Sequence, residues 1–168
     1  LPGERKPIMY DIDDVGPVEL ATISFGQSIS ITPIQLINAV ATIANDGKLM
    51  KPRVVKELTD ADGNVVRRFE EKMIRQVVSK ETSKTMRGIM EAAVDDGSGS
   101  FAYIPGYKVG GKTGTAQKVV GKGYAHGLYV SSFVGIAPAD DPELAVIAIV
   151  DEPRGFSTYG SLTAAPVV

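Results

Sequence analysis

The alternation of apolar and polar residues divides the chain into a few well-marked helices and strands. Over residues 33–45, Gln35, Asn38, Thr42 and Asn45 share one narrow stripe while Ile34, Leu36, Ile37, Val40, Ala41, Ile43 and Ala44 cover the rest. That period predicts a helix, largely buried. Thr32 can cap it, Pro33 occupies the first helical position where a missing N–H costs nothing, and Gln35 can close a capping box. Asp46-Gly47 ends it, because glycine enters the left-handed conformation without steric cost. A second amphipathic helix is expected over residues 80–94, capped by Ser79, with Met86, Ile89, Met90, Ala93 and Val94 on its apolar side.

Strand patterns fill the remainder. Residues 53–58 and 65–69 are short runs joined through Asp62-Gly63, a turn dipeptide that predicts a peripheral hairpin. Three longer strands are expected over residues 107–117, 129–137 and 143–150, separated by the glycine-rich residues 121–127 and by Pro138-Ala139-Asp140-Asp141-Pro142. Their short connections favour antiparallel neighbours, since a parallel pair needs a crossover of about a dozen residues. Residues 144–150 are apolar without interruption, which predicts a strand covered on both faces. Pro2, Gly3, Pro7, Gly16 and Pro17 mark residues 1–20 as an extended loop feeding the first helix, and Gly26-Gln27-Ser28 reads as a tight bend. The expected fold class is α/β of the α+β type: an antiparallel sheet sandwiched by helices, one domain or a large part of one.

Composition narrows the function. With 168 residues and 43% hydrophobic content the chain can bury a core. A net charge of -2 and scattered lysines and arginines offer no face for nucleic acid. No cysteine is present, which excludes disulfides, thiolate metal sites and a cysteine nucleophile. The longest apolar run, residues 144–150, is far short of the ~20 residues that span a bilayer. The first residue is Leu1 rather than Met, which reads as a trimmed or processed N-terminus.

The chemistry is concentrated in Val109-Gly110-Gly111-Lys112-Thr113-Gly114-Thr115-Ala116-Gln117. One cation between glycines, followed by two threonines, brings amides, hydroxyls and a charge together with little bulk to block access, as suits an anionic or carbonyl-bearing ligand. Gly106 through Thr113 also satisfies the phosphate-loop spacing, and Asp151-Glu152 after an apolar run imitates an acidic magnesium site. A phosphate loop must open into a helix, and the residues after Thr113 are rich in glycine and β-branched side chains. Nucleotide binding is therefore the alternative reading. Asp95-Asp96 with the loop through Ser100 lacks calcium-loop spacing and is expected to be a solvated helix end, with no metal site. His126, the only histidine, is expected to be an exposed turn residue, and residues 154–160 either border the groove or form an ordinary loop.

Lys112-Thr113-Gly114 resembles the Lys-Thr-Gly motif of penicillin-binding proteins and serine β-lactamases. Gly26-Gln27, Thr32-Pro33-Ile34-Gln35-Leu36, Ala44-Asn45-Asp46-Gly47 with Lys51-Pro52, Ser132-Phe133-Val134-Gly135-Ile136-Ala137-Pro138, Val150-Asp151-Glu152-Pro153 and Ala164-Ala165-Pro166-Val167 are similar, in order, to landmarks of the class B monofunctional penicillin-binding proteins. Neither Ser-x-x-Lys nor Ser-x-Asn, the family's other two motifs, occurs in these residues. In the family both precede the Gly-Gln segment. The resemblance therefore implies the C-terminal portion of a transpeptidase domain, missing the nucleophile, its lysine partner and the first strands of the sheet, and inactive by itself. It further implies serine D,D-transpeptidation of peptidoglycan, trapped by β-lactams and needing no cofactor. Lys112 would supply positive potential and assist proton movement, the hydroxyls of Thr113 and Thr115 would hold the substrate carboxylate, Gly114 would keep the strand surface open, and the Thr115 amide would complete an oxyanion hole. Expected partners are the D-Ala-D-Ala stem peptide, β-lactam antibiotics, and the N-terminal remainder of the protein or a complementary chain. The family is tethered to the cell membrane and works on its extracytoplasmic face. A purely structural half of a fold is the other alternative.

Overall fold

The computed structural model describes residues 3–121 and 123–168; Leu1 and Pro2 of the expected N-terminal loop and Lys122 of the glycine-rich connection lie outside them. In chain order come α1 (Pro17–Ser24), α2 (Pro33–Ala44), β1 (Lys48–Met50), β2 (Glu57–Thr59), β3 (Val65–Arg68), β4 (Met73–Gln76) and α3 (Lys80–Asp95). They are followed by β5 (Gly110–Val120), β6 (Gly123–Ala137), β7 (Leu144–Asp151) and the short α4 (Gly160–Thr163).

The last three strands form an antiparallel sheet in the order β5-β6-β7. Register places Thr113 opposite Phe133 and Phe133 opposite Ala148, so one face carries Gly111, Thr113, Thr115, Ser131, Phe133, Ala148 and Val150. Phe133 is wholly buried there among Val94, Ala102, Val109, Ala164 and Ala165, which brings the end of α3 and the C-terminal turn onto this face. The opposite face buries Val134 and Ile136. Toward it lies α2, which packs on β6 and β7 with Ala41 and Ala44 bordering Ala145. Helices thus lie on both sides of an antiparallel sheet, as expected.

Local chemistry explains the helix ends. Thr32 Oγ1 accepts from the Gln35 amide at 3.3 Å, while Gln35 Oε1 accepts from the Thr32 amide at 2.9 Å. Asp46 and Gly47 both adopt positive φ at the other end of α2. Ser79 caps α3 through the Thr82 amide at 3.0 Å.

Five expectations need correction. First, α2 is half-buried rather than largely buried, and the one fully buried residue is Thr42 of its polar stripe. Its hydroxyl donates to the Asn38 carbonyl at 2.7 Å, so it enters the interior already satisfied. Second, the buried line of α3 is Ser83, Arg87, Met90 and Val94, whereas Met86 and Ile89 are exposed. Third, residues 17–20 of the expected extended loop are helical and open α1: Gly16 donates to Glu19 Oε2 at 3.1 Å, and Pro17 starts the helix. Fourth, β6 begins at Gly123, because backbone pairing of Val119 with Tyr124 and Val120 with Gly123 continues through the glycine-rich segment. Fifth, β7 alternates half-buried with more exposed positions, with Val146 and Ile149 exposed on opposite faces, so neither face is fully covered by the described residues. The expected hairpin is present as β2 against β3, while the pairing of β1 with β4 joins segments too short to announce themselves.

Asp46 ties α2 to α3. Its carboxylate meets Lys80 Nζ at 2.9 Å and the buried Arg87 at 3.1 Å, and hydrogen bonds from Lys80 first and Arg87 second hold its pKa below the ordinary value. A depressed carboxyl pKa stabilises the fold above the unfolded-state value of about 3.9 and loses that contribution as pH falls through the folded-state value. Asn tolerates positive φ, so Asp46→Asn removes charge without backbone strain. The complete protein is expected to be destabilised by this substitution at pH 6, with a smaller gap to wild type at pH 3, below the unfolded-state value. Equal gaps in denaturation midpoint at both values would show that the ion pairs contribute nothing.

Candidate active site

The glycine-rich segment singled out from the sequence lies on β5, with Lys112 and Gly114 toward one face and Thr113 and Thr115 toward the other. Among the described residues β5 pairs only with β6, so its second edge is free. Lys112 is exposed, and its Nζ donates to the Thr113 carbonyl at 2.9 Å. A carbonyl that receives this ammonium stands at the accessible edge of the strand. In an antiparallel ladder the N–H and C=O of one residue point the same way and alternate along the chain, so the Thr115 amide shares that edge.

The two lysines of β5 differ electrostatically. Lys118 is held by Glu152 at 2.7 Å and Asp151 at 2.9 Å, and hydrogen bonds from these two carboxylates, Glu152 first, raise its pKa. Lys112 has no carboxylate partner among the described residues. Its charge is available to an anionic ligand. The hydroxyls beside it are positioned by neighbours: Thr113 Oγ1 lies 3.4 Å from Ser98 Oγ, and Thr115 Oγ1 accepts from the Gly160 amide at 3.0 Å. Thr115 also opens on a cleft of about 260 Å³ shared with Tyr129 and residues 155–159. At Gly114 a Cβ would stand 2.5 Å from Ser132 Oγ, so any side chain there would displace the neighbouring hydroxyl.

A free strand edge, an unpaired lysine and two hydroxyls can align an extended acyl substrate as an added strand and polarise its carbonyl. The whole sequence matches the family described as the penicillin binding protein transpeptidase domain, over residues 1–168. The chain belongs to that family.

Among the penicillin-binding relatives, stage V sporulation protein D of Bacillus subtilis is 45% identical over 169 residues, covering 100% of this chain and 26% of that protein. A probable peptidoglycan D,D-transpeptidase, PbpC, of Pseudomonas aeruginosa is 33% identical, covering 98% and 27%. The transpeptidase domain of Burkholderia pseudomallei penicillin-binding protein 3 matches with a TM-score of 0.81 at 36% identity, covering 99% of this chain and 48% of that one. Penicillin-binding protein 3 of Mycobacterium tuberculosis, solved with aztreonam, matches at 0.80 and 32% identity, covering 99% and 39%. The chain spans about a quarter of the length of these curated relatives and less than half of the solved chains.

Against this penicillin-binding fold the phosphate-loop geometry fails. Thr113 continues in β5 instead of opening a helix, so no row of helix-terminal amides faces a phosphate. Asp151 and Glu152, the imitation of a magnesium site, are engaged by Lys118. His126 is exposed as expected but sits within β6 rather than in a turn, and it lies near the far end of the β5–β6 ribbon from Lys112. Residues 155–159 do border Thr115. Sequence reasoning missed Ser98, Ser131 and Gly160 around the threonines; only the register of β5 against β6, and the return of the chain after β7, bring them there.

Proposed function

We propose that the protein containing this chain is a serine D,D-transpeptidase that cross-links peptidoglycan stem peptides through an acyl-enzyme and is inhibited by β-lactams. The observation that carries this reading is the free edge of β5, where Lys112, with no carboxylate partner among the described residues, stands at the edge shared by the Thr113 carbonyl and the Thr115 amide, while the Thr113 and Thr115 hydroxyls lie on the strand's other face. The nucleophilic serine attacks the carbonyl of a D-Ala-D-Ala stem, D-Ala leaves, and an amine from a neighbouring strand takes the acyl group. Lys112 supplies positive potential and assists proton movement, Thr113 and Thr115 hold the substrate carboxylate through their hydroxyls, and the Thr115 amide stabilises the charge developing on the carbonyl oxygen. Gly114 leaves room for the substrate backbone to pair along the strand. No cofactor enters this chemistry.

Residues 1–168 are the C-terminal portion of the domain, and the serine comes from the N-terminal remainder of the protein or from a complementary chain. The relatives named as peptidoglycan transpeptidases support a place at the extracytoplasmic face of the cell membrane; among the described residues no helix is long and apolar enough to cross a bilayer. Fluorescent penicillin is expected to label the complete protein covalently, and residues 1–168 alone are expected to remain unlabelled. Covalent labelling of the isolated chain would overturn the assignment of the nucleophile to residues outside it.

A further inference from the structure

Ser131 is wholly buried at the position directly opposite Thr115 on the neighbouring strand, on the same face of the sheet. A serine on a buried strand face must satisfy its hydroxyl, and Ser131 does so by donating to the Thr158 carbonyl across 27 residues of chain. Two residues further on, the Gly160 amide donates to Thr115 Oγ1 at 3.0 Å. This approach depends on glycine: a Cβ at position 160 would stand 2.4 Å from both the Gly114 and Ser132 carbonyl oxygens, backbone atoms that cannot yield locally. The returning segment is therefore pressed onto the seam between β5 and β6, pinned at Thr158 by Ser131 and at Gly160 by Thr115.

A threonine hydroxyl has one donor hydrogen and two acceptor positions. Once the Gly160 N–H fills an acceptor position, the hydrogen of Thr115 must turn away from that amide. The side left to it is the open one, toward the cleft bordered by Tyr129 and residues 155–159. An oriented O–H donor at that cleft recognises an anionic oxygen without first being reorganised. We infer that Ser131 is a positioning residue: by clamping the Thr158 carbonyl it holds the Gly160 amide against Thr115 and presets the Thr115 hydroxyl as a donor to the carboxylate of the ligand. This inference rests on the transpeptidase reading, in which Thr115 meets that carboxylate. Ser131 acts on the carboxylate subsite alone and not on the acylation chemistry, which separates it from a residue that merely supports the fold.

The test uses the complete protein, a penicillin with its free carboxylate, and the methyl ester of the same penicillin. Second-order acylation rate constants are measured for wild type, Ser131→Ala, Thr115→Val and the double variant. Ser131→Ala is expected to slow acylation by the free acid roughly tenfold, the order of a charge-assisted hydrogen bond partly lost, while the slower ester reaction changes by less than about twofold on the same grounds. The double variant should be no slower than Thr115→Val, since both substitutions remove one interaction. Ser131→Cys, close in volume and a weaker donor, should fall between wild type and Ser131→Ala and provides the comparison should the alanine variant fold poorly. An equal loss with acid and ester, an additive double variant, or an unchanged rate with the acid would overturn the inference while leaving the transpeptidase reading in place. A wild-type protein acylated by neither penicillin would overturn that reading and this inference with it.

Discussion

Replacing Lys112 by alanine in the complete protein is expected to slow acylation by penicillin on the order of 10²- to 10⁴-fold, the usual contribution of a positioned proton-transfer group. The magnitude follows from its surroundings. Lys112 is exposed at the free edge of β5, its ammonium rests on a neutral backbone carbonyl 2.9 Å away, and no carboxylate among the described residues neutralises it. Little of its interaction with an anionic substrate is already spent on the protein. Because the side chain is exposed and supports no packing, the thermal midpoint of the variant should match wild type. Lys118, six positions along the same strand, makes a useful contrast: its charge is taken up by Glu152 and Asp151, so Lys118→Ala should leave acylation far less affected. Acylation of Lys112→Ala within a few-fold of wild type would end the role proposed for this lysine.

Stability should depend most on the ring beneath the strand. Phe133 has no exposed surface and fills the space under Gly111, where an added Cβ would come within 2.2 Å of the ring. Phe133→Ala removes a buried aromatic from a cluster that joins α3, the sheet and the C-terminal turn, at a cost of about 3–5 kcal/mol. Gly111→Ala overfills the same site and should cost about 1–3 kcal/mol. The two positions share one space, so their effects should not add: Gly111→Ala combined with Phe133→Leu is expected to be less destabilised than the sum of the single variants. Denaturant titration of the four proteins measures the coupling. Additive losses would mean that the glycine is not there to admit the ring.

This pairing also shows how far sequence reasoning reaches. Gly110-Gly111 next to Lys112 is legible as a site that excludes bulk, but the reason for Gly111 is Phe133, 22 residues away and opposite Thr113 only after the register is set. Helix ends were readable because they are local: Thr32, Pro33, Gln35 and Gly47 satisfy or relax backbone groups within a turn of themselves. Burial was less readable. Thr42 carries its own hydrogen-bond partner into the interior, and the apolar residues of α2 and β7 stay partly open where no described element covers them.

By itself the sequence determined helices α2 and α3, the three long strands, the absence of cysteine chemistry in these residues, and the Lys112-Thr113-Gly114 strand with its ordered companions. These depend on short-range stereochemistry and on motif spacing, both of which are written along the chain. Tertiary structure decided which threonine is held by which neighbour, which lysine keeps its charge available, and that Asp151 and Glu152 pair with Lys118. It also decided that the residues after β7 return to press Gly160 onto the seam beside Gly114. Those outcomes depend on register and on chain return, where a shift of one residue sends every side chain to the opposite face, and no local pattern records that choice.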